Sequence, residues 1–185
     1  MMQQTTNMLV CGEDLGLIPD CVQGVLDELS VLGLRIQRMP KDPKEEVENP
    51  LQYPYLTVCS PSVHDTSTLR GWWEEDRHQA KLLAQMVGIE GTLPLFCEPY
   101  IVEKLLGLHF ASPAMWVVVA IQDFFSLDFQ LRSYIPNPID ERVNIPAVRH
   151  HYWRYRIPVP LEQLLDNSEW IEQIHGLLEN TGRLH

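Results

Sequence analysis

Residues 8–22 read MLVCGEDLGLIPDCV, and this stretch decides the fold class. The run 8–11 is apolar at every position, which is typical of a strand buried on both faces of a parallel sheet. Gly12 ends the run, and Pro19 and Asp20 suit the first turn of a helix whose apolar residues recur at helical spacing. A strand followed by a helix is one βα unit, so the stretch predicts a parallel α/β sheet.

The same alternation continues along the chain. Further strands are predicted over 34–39, 55–59 and 114–121, and helices over 77–87, 99–109 and from 167–168 onward. The run 114–121 (AMWVVVAI) is entirely apolar, so it predicts a strand that is apolar on both faces. A parallel sheet must be covered or closed. Four strands followed by long loops therefore predict part of a larger α/β architecture.

Composition narrows the function classes. The 185 residues suggest one domain, and 25 acidic against 14 basic residues give a formal charge of −11, which argues against a nucleic-acid partner. The longest apolar run is shorter than the roughly 20 residues of a membrane-spanning helix, and residues 1–6 have no secretory pattern. The four cysteines are widely separated, which favours reduced thiols and a cytoplasmic protein.

Polar residues follow three of the four predicted strands. Parallel α/β folds place their functional groups at the carboxyl ends of strands, so these residues are the candidates for a site. They are Glu13, Asp14, His64, Asp65, Gln122 and Asp123. Taken singly, each pair also fits a polar turn that satisfies local backbone groups. Acidic residues at three strand ends together favour a functional site.

Two further groups of residues carry alternatives. Trp72 and Trp73 lie close in sequence to Asp65 and suit stacking on a sugar face, or they form part of the core. The segment 142–156 alternates arginine and aromatic residues. Such a pattern can bind nucleic acid, but the acidic net charge argues against that function, so we interpret the segment as one whose ion pairs anchor a loop at the end of a barrel. The His150–His151 pair lacks acids or cysteines at ligand spacing, so no metal site is expected.

Four stretches in this order resemble the 4-α-glucanotransferase family, the amylomaltases and disproportionating enzymes of the α-amylase clan. They are MLVCGEDLGLIPDCV (8–22), CSPSVHDTSTLRGWW (59–73), VVVAIQDFFSL (117–127) and ERVNIP with HYWRYR (141–146 and 151–156). The second and fourth are most similar to the plant-type cytosolic disproportionating enzymes.

The resemblance implies a (β/α)₈ barrel in which residues 1–185 form strands five to eight. On this interpretation, residues 1–185 are one partial catalytic domain that lacks its N-terminal half. It implies retaining transfer of α-1,4-glucosyl or glucan units from maltose or maltooligosaccharides to a linear or branched glucan, without a cofactor. Glu13 would be the general acid/base and Asp65 the stabiliser of the transition state. His64, Asp14, Trp72, Gln122 and Asp123 would bind substrate.

The resemblance also leaves a gap. The family's nucleophile is an Asp upstream of the acid/base, and none of the twelve residues before Glu13 is acidic. We therefore expect residues 1–185 to be inactive alone. The alternative is a non-catalytic protein that binds glucan or pairs with a separately encoded N-terminal half.

Overall fold

The computed structural model describes residues 8–16, 18–151 and 153–184. Its sheet has four parallel strands in the order β1-β2-β3-β4. The strands are β1 (Cys11–Gly12), β2 (Leu32–Ile36), β3 (Thr57–Ser60) and β4 (Trp116–Val117). The predictions of an α/β fold and of a parallel sheet are confirmed, although β2 begins two residues before the predicted 34–39. The prediction that 8–11 is a strand buried on both faces is wrong, because Met8 and Leu9 precede β1 and are 74% and 55% exposed.

Helices connect and follow the strands. They are α1 (Cys21–Glu28), α2 (Leu69–Glu75), α3 (Arg77–Met86), α4 (Pro99–Phe110), α5 (Ile121–Phe125), α6 (Phe129–Ser133), α7 (Leu161–Asp166) and α8 (Ser168–Asn180). Side chains at the N-caps fix where several of them begin: Thr68 accepts from the Gly71 N–H, and Asp76 from the His78 and Gln79 N–H groups. The helices α3, α4 and α8 begin where they were predicted: side chains of Asp76 and Asn167 cap α3 and α8, and Pro99 is the first residue of α4.

The core lies between the helices and one face of the sheet. Its fully buried side chains include Leu69, Trp73, Leu83, Ile101 and Leu105, which come from α2, α3 and α4. On the sheet, Cys59 of β3 is fully buried in a smaller cluster with Tyr53 and Ala114, and Val117 beside it packs against both this cluster and the main core. The helices therefore cover the side of the sheet that Cys59 and Val117 face.

The opposite face of the sheet is open at β4. Leu34, Val58 and Trp116 form one row across three strands, and Trp116 and Val118 are each 54% exposed. The prediction of a strand over 114–121 is therefore correct only in part. Only two of these residues form a strand, α5 begins at Ile121, and alternate side chains point to a face that the described part of the chain leaves uncovered.

We expect this open face to drive association of the 185-residue polypeptide, because burying apolar surface contributes about 25 cal/mol per Å². Replacing Trp116 and Val118 together by serine should shift the molecular mass measured by light scattering towards that of a monomer. Leu165→Ser removes a still more exposed apolar side chain, 77% exposed, from α7 and serves as the control. A monomeric starting protein, or an equal effect of Leu165→Ser, would contradict this expectation.

In the residue ranges given above, none of the helices has the length and apolar character needed to cross a lipid bilayer.

Candidate active site

The loop after β1 presents one carboxylate to solvent and buries its neighbour. Glu13 is exposed, and among the described residues its carboxylate has no hydrogen-bond or ion-pair partner. Asp14 is only 4% exposed. Two adjacent acids therefore have opposite environments, and Glu13 is the one able to meet a ligand.

Asp14 fixes the loop after β1 to β2. Its Oδ1 accepts from the Leu34 N–H at 2.7 Å, and its Oδ2 accepts from Arg35 at 3.3 Å and from Lys41. Gly33 makes the approach possible, since a Cβ there would lie 3.0 Å from Oδ2. Burial alone would raise the pKa of Asp14, but the bonds from Lys41 and Leu34 outweigh it and hold that pKa below its usual value. The carboxylate is committed to the protein, which does not favour the predicted role in sugar binding.

The loop after β3 exposes His64 and Asp65 and is held by a segment far along the chain. The Asn144 side chain donates to Asp65 Oδ1 at 2.6 Å, and the Asn144 N–H donates to the His64 carbonyl at 3.0 Å. Arg142 donates to the Asp65 carbonyl at 3.1 Å. The contacts of Arg142 and Asn144 with this loop are hydrogen bonds and not the ion pairs that were predicted to anchor it. Asn144 was not predicted as a site residue, and its only signal was its place in ERVNIP.

His64 and Asp65 also contact each other and an aromatic ring. His64 Nε2 lies 3.4 Å from Asp65 Oδ2, and both side chains are about half exposed, at 52% and 50%. The Trp153 ring centroid lies 5.0 Å from that of His64, and Trp153 is 59% exposed. An acid, an imidazole and an indole, all reachable from solvent, are a combination that suits a carbohydrate.

A cavity of about 380 Å³ lies beside this loop, over the open face of the sheet. Its wall is formed by Leu34, Val58 and Val118 from the sheet region and by polar side chains that include His64 and Gln122. A volume of this size is in the range of small-molecule sites. Gln122 is buried and donates to the Glu141 carbonyl at 3.1 Å, so it lines the cavity while holding the segment before Arg142.

Asp123 is fully buried behind the same loop. Its carboxylate accepts from the Ser62 hydroxyl and, at 2.7 Å, from the Leu69 N–H, which joins α5 to both ends of the 62–69 segment. Burial raises the pKa of Asp123 to about 7, and the nearby Glu141 adds to that rise. With no exposed surface, Asp123 supports the His64–Asp65 loop and does not reach a ligand, contrary to its predicted role.

Trp72 belongs to the core, so its predicted role in stacking on substrate is wrong. It is 0% exposed, its Nε1 donates to Gln79, and the Arg38 guanidinium lies 5.0 Å from its ring centroid. A ring covered in this way offers no face to a sugar. The exposed indole beside the site is instead Trp153, whose signal was the HYWRYR motif.

The buried carboxyl of Asp123 makes stability depend on pH. Burial raises the pKa of Asp123 from about 3.8 to about 7. Between these two pH values the folded state keeps the carboxyl proton and the unfolded state loses it, so the free energy of unfolding falls as the pH rises. Asp123→Asn removes this dependence. Relative to the wild type, the variant's free energy of unfolding should rise by up to ~1.4 kcal/mol per pH unit from pH 4 to 7.

Denaturant unfolding at several pH values measures this difference. His109 makes an opposing contribution to the pH dependence of stability. Burial lowers the pKa of His109 to about 4, so the folded protein loses stability as the pH falls below about 6.5 and the unfolded state takes up a proton there. The comparison is therefore repeated in a His109→Gln background, where the slope due to Asp123 should persist. Parallel pH profiles for Asp123→Asn and its parent would contradict the assignment.

Comparison with known proteins gives a consistent result. The family described as 4-alpha-glucanotransferase matches residues 1–162. The chain is 42% identical over 185 residues to "4-alpha-glucanotransferase DPE2" of Oryza sativa subsp. japonica, covering 99% of this chain and 19% of the relative. It is 36% identical over 169 residues to the 4-alpha-glucanotransferase of Chlamydia muridarum, covering 90% of this chain and 31% of the relative.

A solved structure has the same fold. The amylomaltase from Streptococcus agalactiae in complex with acarbose superposes with a TM-score of 0.73 at 18% identity, covering 98% of this chain and 33% of that one. The chain thus spans between about a fifth and a third of the length of these proteins. Because the family match extends over most of the sequence and includes Glu13 and the His64–Asp65 loop, the chain belongs to the 4-alpha-glucanotransferase family.

Proposed function

We propose that this chain forms part of an enzyme that transfers α-1,4-glucosyl or glucan units from maltose or maltooligosaccharides to a glucan acceptor, with retention at the anomeric carbon. The observation that carries the proposal is the exposed Glu13, whose carboxylate has no partner among the described residues. The family match over residues 1–162 and the exposed His64 and Asp65, which follow a strand of the same sheet, support it. The acarbose bound to the similar amylomaltase supports a glucan-like ligand.

In this proposal Glu13 protonates the glycosidic oxygen of the donor and later deprotonates the acceptor hydroxyl, as the acid/base of a retaining pair does. Asp65 binds ring hydroxyls and favours the oxocarbenium-like sugar, and His64 adds a hydrogen bond to the donor. Asn144 and Arg142 keep the loop that carries Asp65 in place.

Retaining transfer takes a second carboxylate as nucleophile. Among the acids at the described strand ends, Asp14 and Asp123 are buried and bonded, and Asp65 is held by Asn144. We propose that the nucleophile comes from outside residues 1–185. On this view β1 to β4 are strands five to eight of a (β/α)₈ barrel. Further chain, on the same or on a separate polypeptide, covers the open sheet face and closes the site.

The proposed setting is the cytoplasm, which the four free cysteines favour. The preference for maltose and a branched glucan rests on the likeness to the plant relative.

The complete protein that contains this segment tests the proposal. With maltotriose as both donor and acceptor, we expect glucose together with maltooligosaccharides longer than the substrate, and little net gain in reducing ends. Chromatography of the products against time separates transfer from hydrolysis. Reducing ends that increase without longer products would identify a hydrolase, and glucan binding without any reaction would identify the non-catalytic alternative.

A polypeptide limited to residues 1–185 is expected to give no products above a heat-treated control. The physical reason is that retaining transfer requires a second carboxylate as nucleophile, and the described residues offer no free carboxylate for this role at the strand ends. Longer maltooligosaccharides formed by this polypeptide would show that one of its own acids serves as nucleophile.

A further inference from the structure

A second cavity, of about 570 Å³, lies next to the loop-anchoring segment and has a different chemical character. Its wall includes Arg142, Arg154 and Arg156, together with His150 and His151, against a single carboxylate from Asp140. Counting arginines and this acid alone, the wall carries a net charge of +2 at neutral pH. The chain as a whole carries −11, so the cavity concentrates positive charge on an acidic protein.

The sequence around the cavity enforces this charge. Residues 142–161 contain four arginines and two histidines and no aspartate or glutamate. Arg142 donates to the carbonyl oxygens of Asp65 and Asn144, and Arg156 donates to that of Tyr155. Within the described ranges neither Arg142 nor Arg156 forms an ion pair with a carboxylate. Their charge is therefore not neutralised by an acid of this part of the chain.

The remaining wall is apolar and aromatic. Ile135, Ile139 and Val148 contribute aliphatic surface, and Tyr134 and Tyr155 contribute rings. The Tyr155 hydroxyl is buried without a hydrogen-bond partner among the described residues. The wall thus combines guanidinium groups and the unpaired Tyr155 hydroxyl with aromatic and aliphatic surface. This combination suits a small ligand that has an anionic group and a partly apolar remainder.

We propose that this cavity binds a phosphate group, either as the monoester of a sugar or as free phosphate. Guanidinium groups bind phosphate oxygens through paired N–H donors, and Arg154 and Arg156 supply such groups on opposite sides of Tyr155 in sequence. The site is distinct from the one assigned to glucan transfer and stands whether or not that assignment does. It shares Arg142 with the His64–Asp65 loop, so an occupied cavity contacts the residue that holds that loop.

Broadening of ³¹P resonances on the 185-residue chain tests the proposal, because it reports ligand binding whether or not the protein associates. Glucose 6-phosphate and inorganic phosphate are the probes, and glucose added as a competitor tests the neutral sugar. We expect saturable broadening of at least one phosphate probe, and we expect glucose at equal concentration not to displace that probe. The tighter of the two probes identifies the source of the phosphate group.

Variants assign the binding to the cavity. Arg154→Gln with Arg156→Gln should weaken phosphate binding at least about tenfold, since two charge-assisted contacts are lost. The charge-conserving pair Arg154→Lys with Arg156→Lys should bind more tightly than the glutamine pair. Arg149→Gln is the matched control, because Arg149 belongs to the same segment but not to the cavity wall. Circular dichroism checks that each variant is folded.

Three results would overturn the proposal. They are the absence of saturable binding by both phosphate probes, an equal loss of binding in Arg149→Gln, and a lysine pair that binds no better than the glutamine pair.

Discussion

Replacing Glu13 by glutamine in the complete enzyme is expected to lower the rate of transfer from maltose by about 10²–10⁴-fold, the usual contribution of a general acid/base. Glutamine preserves the size and polarity of the exposed side chain but has no proton to give to the departing sugar oxygen. The rate of maltose disproportionation under saturating substrate measures the loss. Glu28→Gln, which removes another exposed carboxylate from the end of α1, should leave the rate within about twofold.

The same variant separates the roles of the two site acids. Donors with good leaving groups need little protonation, so Glu13→Gln should lose much less rate with an activated α-glucosyl donor than with maltose. Asp65→Asn acts on the sugar ring and should slow both donors by similar factors. The proposed division of roles fails if the two variants depend on the leaving group in the same way.

Replacing Arg70 by leucine is expected to destabilise the fold by about 3–5 kcal/mol, the cost of leaving a buried charge without its partner. Arg70 is 5% exposed, and its Nη1 lies 2.7 Å from Glu141 Oε1. The same guanidinium donates to the carbonyl oxygens of Ile135 at 2.9 Å and Pro136 at 2.5 Å. Its removal would leave Glu141 buried, with only the Thr68 hydroxyl donating to its carboxylate in the described structure.

Urea unfolding at pH 7 measures this effect. Arg77→Leu is the control, because Arg77 is exposed and donates to the carbonyl oxygens of Leu93, Pro94 and Leu95. Arg77 neutralises no buried acid, so its replacement should destabilise the fold by about 1 kcal/mol or less. Adding Glu141→Gln to Arg70→Leu should restore part of the stability by removing the stranded charge. Equal losses of unfolding free energy in Arg70→Leu and Arg77→Leu would show that Glu141 can remain buried without an ion-pair partner at little cost.

The sequence was a good guide to the elements because their signals are local. Apolar runs lie within the segments that they define, and cap residues such as Asp76 and Asn167 stand directly before them, so the parallel sheet and the starts of α3 and α8 could be predicted. The family motifs then singled out Glu13 and the His64–Asp65 loop.

The sequence could not tell which polar residues are buried. Glu13 and Asp14 are neighbours of the same chemistry, and what distinguishes them is Leu34, Arg35 and Lys41, which lie at least 20 residues away in sequence. The burial of Trp72 likewise depends on packing within the helical core. Long-range partners of this kind leave no local pattern.

The bond between Asn144 and Asp65 has a consequence for the order of events during synthesis. The two residues are 79 positions apart, so the loop that carries Asp65 leaves the ribosome well before the side chain that fixes it. At translation rates of about 5–20 residues per second, the interval is roughly 4–16 s. During that time the helices α2 to α4, which follow Asp65 in sequence, are synthesised, while the loop still lacks its bond from Asn144. We therefore expect the His64–Asp65 loop to reach its final geometry later than the helical core.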